Sequence, residues 1–396
     1  MKRKVATLLG IGLLGGVSTA GAAGVENVTF SGFLTAGAAY AARPVLAGTD
    51  VVLADGSITN EVTFGRDTRF GLQITAKVNP DVSVTGQMLA RGVEQNFTVL
   101  TDWAYVKYRV NNNISIRAGR VKLPSFLISD YNEVGYAYPW VRPPMEMYSA
   151  NPMTGLNGVD ALMRFNLGDL SLLVQPFYGT NTQSTTVPQA VIGSGAPLCL
   201  TPPPGPVSYV ACPAGTIVHT DFTVENLRGI NLSLGSDVFT VRAGWFKTQV
   251  SAPAFGVKGD DGSFSSVGAT MDWKNIVIYT EGFVRIVEGG ANAAFPNQEG
   301  GYGTFGYRLG KFLPHVTYGW IDDHNNPTPG MSLKQKSVAL GLRYEMGRGA
   351  AFKFEALRAT PEAGTAGLLL SNPDAVGAPS RNESVMIYST TFDVVF

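Results

Sequence analysis

Charged side chains are scarce: Asp, Glu, Lys and Arg make up 15% of the 396 residues, against roughly 25% in an average soluble domain. A soluble protein of this length would wear more charge, and 45% hydrophobic content points the same way. Histidine is nearly absent, with only His219, His315 and His324, which leaves little for acid–base catalysis. Neither a Gly-x-Ser-x-Gly elbow nor a His-Glu-x-x-His pair occurs. Gly301-Tyr302-Gly303-Thr304-Phe305-Gly306 formally matches a dinucleotide fingerprint, but the run continues as a strand where that chemistry needs a helix. No catalytic residue and no cofactor is expected. The two cysteines, Cys199 and Cys212, sit in a proline-rich stretch; they are too few for a metal site and are expected to form one loop-stapling disulfide.

Long apolar runs are missing too. The Met1–Ala22 stretch has a basic head, an apolar run from Val5 to Val17 and the small-residue site Ala20-Gly21-Ala22. It reads as a secretory signal peptide, residues 1–22, cleaved after Ala22 or Ala23 to leave residues 23–396. Beyond it no stretch reaches the ~18 uninterrupted apolar residues of a membrane helix. The cleaved chain loses three basic residues and no acids, so it is mildly acidic and nothing suggests a nucleic-acid partner.

What the chain does have is alternation. In Met386-Ile387-Tyr388-Ser389-Thr390-Thr391-Phe392-Asp393-Val394-Val395-Phe396 one parity is bulky or neutral and the other mostly polar. Strand side chains alternate faces, so Met386, Tyr388, Phe392 and Phe396 can meet lipid while Ser389, Thr391 and Asp393 face inward. The aromatic terminus Phe396 is expected to act as an assembly signal. The first strand begins at about Val28, leaving no room for a plug domain before it. Tight turns follow at Asn79-Pro80-Asp81, Asn111-Asn112-Asn113, Leu167-Gly168-Asp169, Gly235-Ser236-Asp237, Lys274-Asn275, Gly310-Lys311 and Met346-Gly347-Arg348-Gly349. Between them lie longer segments rich in Gly, Pro, Ser and Asp: 41–60, 92–99, 124–158, 180–220, 251–263, 289–300, 322–332 and 360–383. Seven turns and eight loops join sixteen strands. The layout predicts an all-β fold, a 16-stranded antiparallel transmembrane β-barrel whose third loop folds inward.

Face assignments sharpen that expectation. Ala104, Val106, Tyr108 and Val110 share one parity, as do Phe305, Tyr307 and Leu309, and Val338, Leu340, Leu342 and Tyr344. Each row suits lipid with an aromatic girdle. The opposite parity carries Lys107, Arg109, Arg308, Arg343 and Glu345, which implies water inside the barrel. By the same parity Arg69, Lys77, Arg91 and Arg117 point inward, while Arg120 points outward and needs a bulge or a rim position.

The richest stretch is Arg117-Ala118-Gly119-Arg120-Val121-Lys122-Leu123-Pro124 and the loop after it, with Asp130, Glu133, Tyr136, Tyr138, Pro139, Trp140, Arg142, Pro143, Pro144 and Glu146. Paired prolines and large rings make such a loop stiff enough to pack against an inner wall. A basic wall opposite an acidic loop creates a transverse field. The stretch resembles the Gram-negative porin superfamily, especially its phosphate-selective-porin-like and DcaP-like members. In these a basic strand runs into an inward-folded third loop. The Pro-Glu-Phe-Gly-Gly tip of the enteric trimeric porins is absent, so their constriction geometry does not carry over.

The resemblance implies an outer-membrane porin, not an enzyme, giving passive diffusion of small hydrophilic solutes or ions with a mild anion preference. It also implies a homotrimer in outer-membrane lipid. Small residues of the first strand, Gly32, Ala36, Gly37, Ala38 and Ala39, could let barrel walls approach. The expected constriction comprises Arg69, Arg91, Lys107, Arg109, Arg117, Asp130, Glu133, Arg142 and Glu146. Competing readings are a surface-recognition barrel using its long loops and a barrel that scaffolds a hydrolase.

Overall fold

Local chemistry sets the short ends of the hairpins. The Asn79 side chain accepts from the backbone N–H of Asp81 and of Val82, each at 2.9 Å, and Asn111 does the same for Asn113 and Ile114 at 2.8 and 2.9 Å. Such Asx turns reverse the chain without strand-breaking cost. Lys274 and Gly310 adopt positive φ at two further reversals. The computed structural model describes residues 27–396 except 43–50, 54–55, 59, 94–95, 152, 188–189, 192–196, 201–208, 212–217, 253–256, 294, 325–332, 363–364, 366 and 372–383. The expected signal peptide, residues 1–22, lies outside the described residues. So does the expected Cys199–Cys212 disulfide, because Cys212 is not described and Cys199 only by its backbone.

Sixteen strands form one closed antiparallel barrel. They are β1 (Val28–Ala42), β2 (Arg69–Lys77), β3 (Val82–Val93), β4 (Asn96–Arg109), β5 (Ile114–Lys122), β6 (Gly155–Leu167), β7 (Leu170–Val187) and β8 (Val218–Gly235), followed by β9 (Phe239–Ala252), β10 (Val257–Trp273), β11 (Ile276–Val287), β12 (Asn297–Tyr307), β13 (Phe312–His324), β14 (Gln335–Gly347), β15 (Ala350–Pro361) and β16 (Val385–Val395). Each strand pairs with its sequence neighbours, and β16 returns to β1 with Phe33 opposite Val395 and Ala42 opposite Met386. Beyond the last pair, Gly32 and Phe396 exchange backbone hydrogen bonds of 2.8 and 3.0 Å. Closure removes every free edge, as a membrane sheet requires.

The long-loop side departs from expectation in three places, one of them the expected loop 251–263, where β9 runs to Ala252 and β10 starts opposite it at Val257. Residues 92–99 are not a loop: β3 runs to Val93 and β4 starts at Asn96, with Val93 opposite Asn96. Gly92, Glu94, Gln95 and Asn96 have the composition of a loop, whereas Phe97 and Val99 keep a strand's alternation and are exposed on one parity. Likewise β7 and β8 stay paired out to Val187 and Val218, so the expected 180–220 loop is in part a long hairpin. Two small three-stranded sheets form within the loops. One joins 51–53, 56–58 and 369–371, tying the first loop to the last, and the other joins 190–191, 197–200 and 209–211.

The two faces separate as the alternation requires. Val106, Tyr108, Phe305, Tyr307, Leu309, Val338, Leu340, Leu342, Tyr388 and Phe392 are all exposed on the outer face. In a membrane that apolar band is covered by lipid. Arg120 does point outward: Gly119 takes φ +129, where a Cβ would lie 2.3 Å from the Ala104 carbonyl oxygen. The guanidinium then donates to the Thr101 carbonyl at 2.9 Å and to Asn157 at 3.2 Å.

Candidate pore lining and the Leu123–Thr154 segment

After β5 the chain enters the segment 123–154, built from two short 3-10 turns, Ser129–Tyr131 and Gly135–Ala137, and the one-turn helix α1 (Met145–Tyr148) that begins after Pro144. So little regular structure leaves backbone polar groups without local partners. The inner parity of the barrel strands supplies partners instead. Lys353 of β15 donates to the Gly135 carbonyl at 2.5 Å and the Trp140 carbonyl at 2.7 Å. Arg343 of β14 donates to the Tyr136 and Tyr138 carbonyls at 2.6 and 2.9 Å. Carboxylates work in the other direction: Glu281 of β11 accepts from Leu127 N–H at 2.6 Å and Tyr148 hydroxyl at 2.8 Å, and Glu355 of β15 accepts from Val141 N–H at 3.4 Å.

Apolar burial accompanies these bonds. Trp140 is 1% exposed and packs edge-on against Tyr279 and Tyr302, at 4.9 and 5.4 Å between ring centres. Its indole N–H reaches Thr304 at 2.9 Å and Thr317 at 3.1 Å. On the strands behind, Phe246, Phe264 and Phe283 stack in a ladder spaced 5.3 and 5.5 Å, and Phe126 meets Phe264 edge-on. The inner face of β9 to β12 is thus largely apolar and aromatic under the segment. Sequence parity alone showed only its charges, and the phenylalanines gained meaning once the segment lay against them.

The nine expected lining residues fall into separate groups. Arg69 and Arg91 converge on Glu133, at 3.6 and 3.3 Å, and Arg69 also donates to the Tyr138 hydroxyl at 2.8 Å. Burial would push the Glu133 carboxyl up, but Arg91, Lys122 and Arg69 outweigh it and hold the group below the usual carboxylate range. Asp130 pairs with Arg242 of β9 at 3.4 Å, and Arg142 with Asp67 at 3.4 Å. Glu146 is 1% exposed and accepts from Gln335 at 2.9 Å; burial pushes its carboxyl up, with no cation to oppose it. Arg117 is buried in an ion pair with Asp160, which also accepts from Gln175 at 2.8 Å. Lys107 stands across from Arg117 on β4, half-exposed and with no ion pair among the described residues.

Arg109 stands apart from all of these. It is exposed at the short-turn end and paired with Asp81 at 3.0 Å, well away from the segment, because inward parity fixes a face but not a height along the strand. Sequence reasoning passed over Lys353 and Arg242 altogether. Their signal was the same parity that marks Glu355 and Phe246 beside them. Of the histidines described, His315 is buried on the inner face and His324 is exposed, 3.4 Å from Glu299. Gly301–Gly306 lies within β12, with no helix after it.

A closed antiparallel barrel of sixteen strands, apolar outside and charged within, has the fold of the Gram-negative outer-membrane porins, and its place is the cell outer membrane. No protein-family model matches the sequence, and no curated protein sequence matches it. Among solved structures the chain is similar to the anion-selective porin from Comamonas acidovorans, at 11% identity and a TM-score of 0.56, covering 93% of this chain and 99% of that one. It is similar to the outer membrane channel DcaP of Acinetobacter baumannii, at 11% identity and 0.54, with 93% and 97% covered. It is also similar to the outer membrane protein OmpT of Vibrio cholerae in its trimer form, at 11% and 0.51, with 93% and 99% covered. Likeness at such identities establishes the fold.

Proposed function

We propose that the protein is a passive diffusion porin for small hydrophilic solutes, with a preference for anions, and that it performs no catalysis. One observation carries the reading: the segment 123–154 is fastened to the inner wall of β9–β15 and, on the β2–β3 side, through its own Glu133, the single carboxylate that Arg69 and Arg91 share. That side keeps a surplus of positive charge, to which unpaired Lys107 adds. Charge in a narrow, low-dielectric passage acts more strongly than the same charge on an open surface, so it governs which ions pass. Arg117 contributes little, since Asp160 neutralises it, and Arg109 sits too far towards the turns.

The anion-selective neighbour and the DcaP channel support this reading by fold. A homotrimer in outer-membrane lipid is proposed with it, on the likeness to a trimeric neighbour. Ala36 and Ala38 of β1 point outward and leave room for a second wall, whereas Gly37 and Ala39 point inward.

The test is the zero-current potential across a planar bilayer in a salt gradient. Replacing Arg69 and Arg91 together by Ser should move it towards cation preference while conductance steps persist. An unmoved potential at normal conductance would place these residues outside the selective region and overturn the anion preference.

A further inference from the structure

The outer face holds a polar recess that the channel reading does not use. It lies on β7 to β10, towards the long-loop end. In β8 the register with β9 slips between Glu225 and Arg228, where Asn226 takes φ +50. This bulge aims Arg228 outward, directly between Tyr178 of β7 and Lys247 of β9. Two cations face each other across a strand pair, an arrangement that is destabilising unless something anionic joins them. Asp261 lies 2.8 Å from Lys247. Arg228 has neither an ion pair nor a hydrogen bond among the described residues and is exposed.

The surroundings restrict the ligand. One row nearer the turns stand Ile230 and Trp245, both exposed, so the recess begins where the lipid-facing band ends. Trp245 and Tyr178, 46% and 51% exposed, are girdle residues. One row outward, Asn226 accepts from the Tyr178 hydroxyl at 3.2 Å and donates to Gln249 at 2.6 Å. Asn226, Arg228, Lys247, Gln249 and Asp261 thus line a cleft that combines two cations, one of them paired with a carboxylate, with two side-chain amides. Short turns mark the periplasmic side of such barrels, so this level meets the headgroups of the outer leaflet.

We propose that this recess binds the phosphorylated sugar headgroup of an outer-leaflet glycolipid. Arg228 clasps the phosphate, Lys247, shared with Asp261, adds its charge beside it, Asn226 and Gln249 meet sugar hydroxyls, and Trp245 lies against the first acyl carbons. Guanidinium–phosphate bonds are charge-assisted and geometrically specific.

The test uses the full-length barrel in detergent, with native mass spectrometry reading retention of diphosphorylated lipid A, its dephosphorylated form and inorganic phosphate. Wild-type protein should retain the diphosphorylated lipid roughly tenfold better than Arg228→Gln/Lys247→Gln, a loss of about one charge-assisted contact. It should retain the dephosphorylated lipid no better than that variant does, and millimolar phosphate should not displace the lipid. The Arg228→Lys variant, which keeps the charge, should retain an intermediate amount, and heat-modifiable migration verifies folding in every case. Equal retention by wild type and the double variant would overturn the proposal. So would displacement by phosphate alone, which would make the recess a site for the free anion.

Discussion

Lys353 links the 123–154 segment to the barrel's closing strand, beside Arg142 of the segment, which donates to Ser389 of β16 at 3.1 Å. Its ammonium is 1% exposed, donates to two carbonyls of the segment and lies 3.0 Å from Asp393 of β16, which in turn accepts from Thr35 of β1 at 2.7 Å. Replacement by Met leaves Asp393 buried without its cation, which costs about 3–5 kcal/mol. The Lys353→Met barrel should unfold at lower urea concentration and show noisier, larger conductance steps as the segment loosens, and adding Asp393→Asn should restore much of the stability. Glu133 gives a pH signature. Its carboxyl is held below the usual 4.5, so its contribution is full above that value and disappears as pH falls through the lowered one. Wild-type conductance should therefore change on acidification below about pH 4.5, whereas Glu133→Gln should lack that step.

At the scale of the element, the β1–β16 seam decides whether the barrel closes. Gly32 and Phe396 exchange backbone bonds, Phe396 stacks over Phe70 at 6.5 Å, and a Cβ on Gly32 would lie 2.5 Å from the Phe396 ring and 2.9 Å from the Gly71 carbonyl oxygen. Gly32→Val should lower the yield of heat-modifiable barrel, and deletion of Phe396 should do so as well; unchanged yields at native expression would contradict the seam's role. Strands and short turns were legible in the sequence because alternation and Asx chemistry are local. The pairing of Arg117 with Asp160 was not, because it depends on a register between β5 and β6 set across the whole intervening segment. Parity gave Arg117 its face, and tertiary pairing removed its free charge. The strands flanking residues 94–95 were hidden by the polar run Glu94-Gln95-Asn96, although Phe97 and Val99 after it alternate as strand residues do.

For the whole molecule the consequence is a lopsided lumen. One flank, β9 to β12, is covered by aromatic packing beneath the segment, and on the other Arg69 and Arg91 share the segment's Glu133, with half-exposed Lys107 beyond them. Water and ions are expected to pass along the basic flank. The measurement that tests this most directly is single-channel recording of the purified, heat-modifiable protein in a planar bilayer at neutral pH. Stepwise, nearly ohmic currents, with a zero-current potential of the sign for anion preference in a potassium chloride gradient, are the predicted result. Folded protein that inserts but yields no steps would mean that the segment seals the barrel, and the channel account would be wrong.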